Sequence, residues 1–423
     1  MQKFKDARDW FFQKRFGLFI HWGIYAVGGQ QEQALQRYRI PWSRYLEYQK
    51  SFNPTKFRAS EWLDLAERNG MRYLVFTTKH HDGFCMWDTK ETDFNIMHTP
   101  YGRDLLKELA DECHKRDFPL VLYYSVVDWH HPNYPNIGRH HEIQTDPAQH
   151  DLERYMTFLK NQIRELCTNY GKIDGIWWDM NVPEIRDPSI NEMIRRLQPS
   201  AVINNRGMDD GDFSTPERSF QADPTIPFAN PTEACNSVGS NSWGYRIQED
   251  YFSIYHLERQ MASNLALGGN YLLNAGPKPD GTFPQESLDL LNALGDWYRK
   301  TGGAVTAPPC YGVLDDKTIL CTGGGRELNL ILLNPPACSA LELAPLTVLP
   351  EKAVLLNTGT ELEATLEPNV YRLQEPRCLR LRGIPVDRIA GQVPVIRLTF
   401  SDSVIQGREF VAEENRAGIN AKE

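Results

Sequence analysis

Nowhere does the chain hold an apolar run near the roughly 18 to 20 residues that span a bilayer, so a membrane partner is not expected. A block of lysine or arginine is missing as well. The 46 basic residues face 55 acidic ones for a formal charge of −9, and without a basic stripe to neutralise phosphates no nucleic-acid partner is expected. No C-x-x-C pair occurs. The eight cysteines (Cys85, Cys113, Cys167, Cys235, Cys310, Cys321, Cys338 and Cys378) are scattered, which fits reduced, packed thiols better than a disulfide scaffold or a zinc ribbon. The first residues, Met1 to Asp9, are charged and lack the apolar stretch of a signal peptide. A cytoplasmic location is expected from this, or a periplasmic or secreted one had a leader been removed. No internal repeat or low-complexity tract stands out.

What remains is a chain of 423 residues, 41% hydrophobic, with a mean hydropathy of −0.50. It is too long for one small domain and suits a large barrel with an appendage. Ten Trp, 18 Tyr and 19 Phe serve either a large core or a site that stacks on flat apolar faces, as sugar sites do; position decides between them.

Short apolar runs alternate with helical patterns, the signature of repeated βα units. Phe16–His21, Tyr73–Thr77, Leu120–Tyr124, Ile173–Trp178 and Ala201–Asn205 read as five buried strands, and Arg218–Gln221, Trp243–Arg246 and Tyr271–Asn274 as the sixth to eighth. The best helix runs from Pro147 to Tyr170, with Asp146 as N-cap and an apolar face of Leu152, Tyr155, Leu159, Ile163 and Leu166. Ser60–Asn69 and Asp104–Arg116 are shorter, and Pro284–Lys300 closes the barrel before Thr301-Gly302-Gly303. Past Pro308-Pro309 come strand-like pieces at Thr318–Cys321, Leu328–Leu333, Ala353–Leu356 and Val370–Leu373, split by Gly, Pro and Asn turns. The expected architecture is therefore α/β: a (β/α)8-like barrel over residues 1–305, a β-sandwich over 306–400, and an edge strand or loose polar tail over 401–423.

In such a barrel, chemistry sits at strand C-termini and the loops that follow. The predicted ends are His21-Trp22-Gly23, Lys79-His80-His81-Asp82-Gly83-Phe84, Tyr123-Tyr124-Ser125 with Asp128-Trp129-His130-His131, Trp177-Trp178-Asp179-Met180, and Asn204-Asn205-Arg206. Apolar residues and turn formers would be the ordinary content; these ends are rich in His, Trp, Tyr, Asp and Arg instead. Asp179 is the sharpest position. An Asp after a strand is usually a helix N-cap, but Met180-Asn181-Val182-Pro183 does not open a helix at once. A carboxylate pushed into the barrel mouth is the better reading.

Glycoside hydrolysis needs a second carboxyl to protonate the leaving oxygen. Glu184, Asp209, Asp210, Asp212, Glu217 and Glu233 are candidates, with Glu217 modestly ahead because Thr215-Pro216-Glu217 meets the barrel just before the presumed sixth strand. His140-His141 reads as a solvated loop. His80 and His81 would point to opposite faces of a regular strand and so would not chelate one ion. Metallohydrolases of the amidohydrolase kind begin with His-x-His where this chain has His-Trp-Gly. No metal and no cofactor is expected.

Taken together these motifs resemble glycoside hydrolase family 29, the α-L-fucosidases. The resemblance rests on Arg15 to Gly23, Lys79 to Phe84, Tyr123-Tyr124-Ser125 with Asp128-Trp129, Trp177 to Met180, Thr215-Pro216-Glu217, and Leu272 to Pro277 with Pro279-Asp280-Gly281. It covers about residues 8 to 305, in order. It implies a retaining exo-α-L-fucosidase that works by double displacement on fucosylated oligosaccharides or glycoconjugates. Asp179 matches the nucleophile, and Glu217 the acid/base of members with a Thr-Pro-Glu motif. His21, His80 and His81, with Trp42 and Tyr124, match residues that hold fucose hydroxyls; Arg206 matches a basic residue near the nucleophile; Trp177 and Trp243 match aromatic positions around the sugar. Thr301-Gly302-Gly303-Ala304-Val305 departs from the Asn-Gly-Glu-Ala-Ile of many members. The same machinery on another α-L-sugar, such as an α-L-galactoside, and a sugar-binding barrel without catalysis are the alternatives.

Overall fold

Seven strands build one parallel sheet in a computed structural model that describes residues 3–137, 143, 145–180, 182–218, 226–310, 312–368 and 377–402. They are β1 Phe16–Ile20, β2 Leu74–Lys79, β3 Leu120–Ser125, β4 Gly175–Asp179, β5 Val202–Ile203, β6 Glu233–Ser237 and β7 Asn270–Ala275. The order is β5-β4-β3-β2-β1-β7-β6, with every neighbour parallel. Between the edges β5 and β6, residues 213–217 run as an irregular stave, joined by parallel bridges Asn204↔Phe213, Ser214↔Thr232 and Glu217↔Cys235. The sheet thus curls into a barrel. The stave replaces the expected sixth strand: Arg218 is already a bend, and residues 219–221 lie outside the described residues. Trp243–Arg246 is loop rather than strand, because β6, the polar run Glu-Ala-Cys-Asn-Ser, takes that place in the sheet.

Strands of a parallel barrel are buried on both faces and read as continuous apolar runs. Here the inner face packs Phe19, Val75, Val121, Tyr123, Trp177, Val202, Cys235 and Leu272 with Tyr73 and Phe213. The outer face, with Leu18, Ile20, Leu122, Tyr124, Ile176 and Trp178, packs against the helices. The chain start plugs the lower end. Trp10 Nε1 donates to Ser200 O, Asn270 Nδ2 donates to Phe11 O, and Arg8 pairs with Asp212 at 2.6 Å.

The helix expected over Pro147–Tyr170 is two elements: a 3-10 turn Pro147–Gln149 capped by Asp146, then an α-helix Leu152–Asn169 capped by Asp151, which accepts from Arg154 N. A second capping side chain at the helical start wins over continuation. The last barrel helix, Gln285–Val305, runs through Gly302-Gly303 instead of stopping there. Its end is buried against the following domain, and that packing outweighs the poor helix propensity of glycine.

Beyond Pro309 a six-stranded antiparallel-paired sheet and a three-stranded sheet enclose a separate core of Leu328, Leu330, Leu355, Leu379, Leu381 and Leu398, among others. Its barrel seam is held by Trp297 Nε1 donating to Val393 O, Glu258 accepting from Val393 N at 2.7 Å, and Tyr255 donating to Leu333 O. The expected strand at Val370–Leu373 and the tail from 403 lie outside the described residues, as do His140-His141. All eight cysteines are free and all but Cys338 are buried. Among the described residues no helix is long and apolar enough to cross a membrane.

Candidate active site

Alternation along β4 turns Trp177 inward and Trp178 outward, so Asp179, two residues on from Trp177, projects into the barrel mouth. Met180 follows in the left-handed region at φ 64°, which turns its N–H back toward the carboxyl. Tyr123 OH donates to Asp179 Oδ2 at 2.7 Å, Arg206 Nη1 reaches Oδ1 at 3.2 Å, and His81 Nε2 lies 3.8 Å from Oδ2. Burial alone would raise this acid. The Arg206 charge, His81 and the hydrogen bonds from Tyr123 and Met180 outweigh it and hold Asp179 below the ordinary aspartate value. It is ionised.

Arg206 is the hinge of the site. Its Nε and Nη2 donate to Thr215 Oγ1 and O, its plane lies 4.8 Å over the Trp177 ring, and its Nη1 also reaches Glu217 Oε2 at 3.0 Å. Gly207 lets the chain pass here, since a Cβ would meet the Trp178 ring at 2.2 Å. The Glu217 side chain is 40% exposed against 16% for Asp179, so it is the open half of the pair. Glu233, the rival buried acid, is closed off: Tyr73 OH and Trp177 Nε1 both donate to it, at 2.6 and 2.9 Å. Glu184, Asp209, Asp210 and Asp212 make no bond to Arg206 or Asp179 among the contacts described. Asp212 is spent on Arg8 and Arg195.

His21, in line with Phe19 on the inner face, donates its Nδ1–H to Asn274 Oδ1 at 2.7 Å. That tautomer follows because Asn274 Nδ2 already donates to Ser237 Oγ and Trp243 O, which orients the amide. Burial pushes His21 down to about 4; it is a neutral ring with Nε2 left as an acceptor. His80 and His81 come after β2 ends at Lys79, past a register shift between Thr77 and Lys79. They do not point apart as regular-strand neighbours would: their rings lie 4.0 Å from each other. His80 stacks on Tyr123, and His81 Nδ1 meets Ser125 Oγ at 2.8 Å. Trp243 flanks His21 at 5.3 Å with Phe19 beneath. Its N–H and that of Gly244 donate to the buried Glu32, and the Arg218 guanidinium lies 4.7 Å from its ring.

Tyr124 is a correction. Its hydroxyl donates to Gln162 at 2.7 Å, and Lys79 Nζ sits 4.4 Å over its ring on the helix side; it faces away from Asp179, and Tyr123 takes the inner position. Trp42 stands on the rim, half-buried, with its ring 5.5 Å from His130 and 5.8 Å from Tyr45. Its helix, Trp42–Ser51, is tied to the histidine loop by Tyr45 OH donating to Asp82 at 2.6 Å. Residue-level reading missed Tyr123, Asn274, Ser125 and Glu32. None of them carried a usable signal; Tyr123 and its neighbour Tyr124 lie in a strand buried at every position.

With this geometry in place, relatives can be compared. A family model described as Alpha-L-fucosidase matches residues 1–303. The tissue alpha-L-fucosidase of Macaca fascicularis is 28% identical over 85% of this chain and 83% of its own. Among solved structures, alpha-L-fucosidase isoenzyme 1 from Paenibacillus thiaminolyticus superposes with a TM-score of 0.81 at 32% identity, covering 94% of this chain and all of the other. An alpha-L-fucosidase from Bacteroides thetaiotaomicron, trapped as a covalent intermediate with 2-fluoro-fucosyl fluoride, gives 0.77 at 27% identity over 94% and 97% of the two chains.

Proposed function

The chain belongs to the alpha-L-fucosidase family, and from that premise we propose that it is a retaining exo-α-L-fucosidase with Asp179 as nucleophile and Glu217 as acid/base. The observation that carries the pairing is the shared Arg206 nitrogen. Oxygens of the two carboxyls lie 3.2 and 3.0 Å from it, so they are at most about 6 Å apart, short of the roughly 6.5 Å at which inverting pairs begin.

The chemistry follows from the environments. Asp179, ionised and aimed from the end of β4, attacks the anomeric carbon while Glu217 gives its proton to the departing glycosidic oxygen. Glu217, now a base, takes a proton from water, and that water opens the fucosyl ester and restores Asp179 with retained configuration. Neutral His21 offers Nε2 to a sugar hydroxyl, with His80 and His81 beside it for the others. Trp243 over Phe19 supplies an apolar wall suited to a 6-deoxy methyl. An aryl α-L-galactoside, which puts a hydroxyl at that wall, is expected to be turned over at least ~10-fold less efficiently than the fucoside. The substrates are glycans or glycoconjugates ending in α-L-fucose.

The test is covalent. Incubation with 2-fluoro-fucosyl fluoride should add one fluoro-fucosyl group by intact mass, on the peptide that contains Asp179. A label on another peptide, or inactivation without label, rejects the assignment.

A further inference from the structure

Glu233 is an acid set among the apolar and aromatic side chains of the barrel interior. It opens β6, is 2% exposed, and takes both of its hydrogen bonds from rings: Tyr73 OH on one oxygen and Trp177 Nε1 on the other. Trp177 is no passive neighbour. It stacks on Tyr123 at 5.6 Å with the planes 17° apart, and Tyr123 is the donor to Asp179. Its other face carries the Arg206 guanidinium that bonds Asp179 and Glu217. On the second side, Cys235, two residues along β6 from Glu233, brackets Glu217: Cys235 N donates to Pro216 O, and Arg218 N donates to Cys235 O.

We propose that Glu233 is a positioning residue for glycosyl transfer, locking the Trp177 indole and biasing the Arg206 charge that the nucleophile and the acid/base share. This rests on the reading of Asp179 and Glu217 given above. A buried acid at this place is also a source of charge. Burial raises Glu233 to about 7, against the lowering pull of the Tyr73 and Trp177 hydrogen bonds and of Arg206, so it is ionised above neutrality. The other groups that face it are Tyr73, under which Arg15 acts, and Cys235; burial pushes both far up and they stay neutral. Asp179 and Glu217 are coupled to it through Arg206. With Glu233 ionised, its charge joins those of Asp179 and Glu217 in the field around Arg206, so the pH profile of turnover carries the charge of Glu233 as well.

The experiment compares kcat, KM and their pH profiles on an aryl α-L-fucoside for wild type, Glu233→Gln, Tyr73→Phe and Asp179→Asn. E233Q keeps the shape and one acceptor oxygen for Trp177 Nε1, turns an NH2 toward the Tyr73 hydroxyl, which can accept from it, and removes the charge. It is expected to lose about tenfold in kcat with KM within about twofold, and to move the alkaline limb down by about half a pH unit. Y73F removes a hydrogen bond that favours the ionised carboxylate, so Glu233 ionises only at higher pH; the limb is expected to move part of the way that E233Q moves it, while Tm falls. Wild-type kcat and an unmoved limb in E233Q overturn the proposal. So does an E233Q limb displaced no further than that of Y73F, which would reduce Glu233 to packing. Should E233Q not fold, Glu233→Asp replaces it, keeping the charge but withdrawing it from Trp177: a lower kcat with an unmoved limb supports the proposal, and a wild-type kcat sinks it. D179N separates the two claims. If it keeps wild-type turnover, the nucleophile assignment fails; if it is dead while E233Q is normal, only the role of Glu233 fails.

Discussion

Two ion pairs stand on opposite faces of the same sheet, and their surroundings make them different objects. On the helix side, Lys79 and Asp128 meet at 2.9 Å with side chains 0% and 2% exposed. Lys79 lies over the Tyr124 ring, and Asp128 Oδ1 takes the His130 and His131 amides. In the mouth, Arg206 meets Asp179 and Glu217 with side chains 19%, 16% and 40% exposed. The closed pair has spent its capacity on the protein, whereas the open one keeps some for a ligand. The first should govern stability and the second turnover.

The widest separation comes from one substitution on each face. Asp179→Asn removes the nucleophile and should lower kcat on an aryl α-L-fucoside by ~10³-fold or more with Tm nearly unchanged. Asp128→Asn keeps the acceptor for the two histidine amides but leaves Lys79 an uncompensated buried charge, which should destabilise the fold by about 3–5 kcal/mol in urea unfolding. Turnover per folded molecule should stay within about threefold of wild type. An Asp128→Asn protein of full stability, or an Asp179→Asn protein of full activity, would erase the distinction.

Adjacent tyrosines give a finer cut. Tyr123→Phe deletes the donor to Asp179 and should cost roughly tenfold in kcat, because that hydrogen bond is to a charged group and helps keep the nucleophile ionised. Tyr124→Phe deletes only the bond to Gln162; about 1 kcal/mol of stability should be lost with kcat unchanged. Both hydroxyls donate at 2.7 Å, so bond length cannot explain a difference, only the face can.

That face is what the amino-acid sequence concealed. Asp179 was legible because a charged residue ends an apolar run, and His21, His80, His81 and Arg206 for the same reason. Tyr123 and Tyr124 were not separable, since a strand buried on both sides carries no polar alternation to set its parity. β6 was invisible because Glu-Ala-Cys-Asn-Ser has no apolar run, its carboxylate being matched by Tyr73 and Trp177 from distant strands. The stave at 213–217 makes isolated bridges only, and Trp243 reaches the site on a loop held by Glu32, 211 residues away in sequence. Fold class depends on period and order, which are local; the pairing of site residues depends on register, which is not.

The smallest expected effect concerns a buried acid that belongs to neither pair. Glu258 is 2% exposed at the seam with the β-sandwich, and it accepts from Val393 N without a cation among the groups that shift it. Burial therefore wins, raising it to about 8 from an ordinary 4.5. Between those values the folded chain binds more protons than the unfolded one, so this group's contribution is full below about 4.5 and is lost as pH rises through about 8. Glu258→Gln mimics the protonated form at every pH. Its Tm relative to wild type should therefore climb by about 2–4 °C as pH goes from about 5 to about 8. A flat difference would mean that Glu258 stays ionised in the fold, as Asp128 does, and that the seam supplies a counter-charge after all.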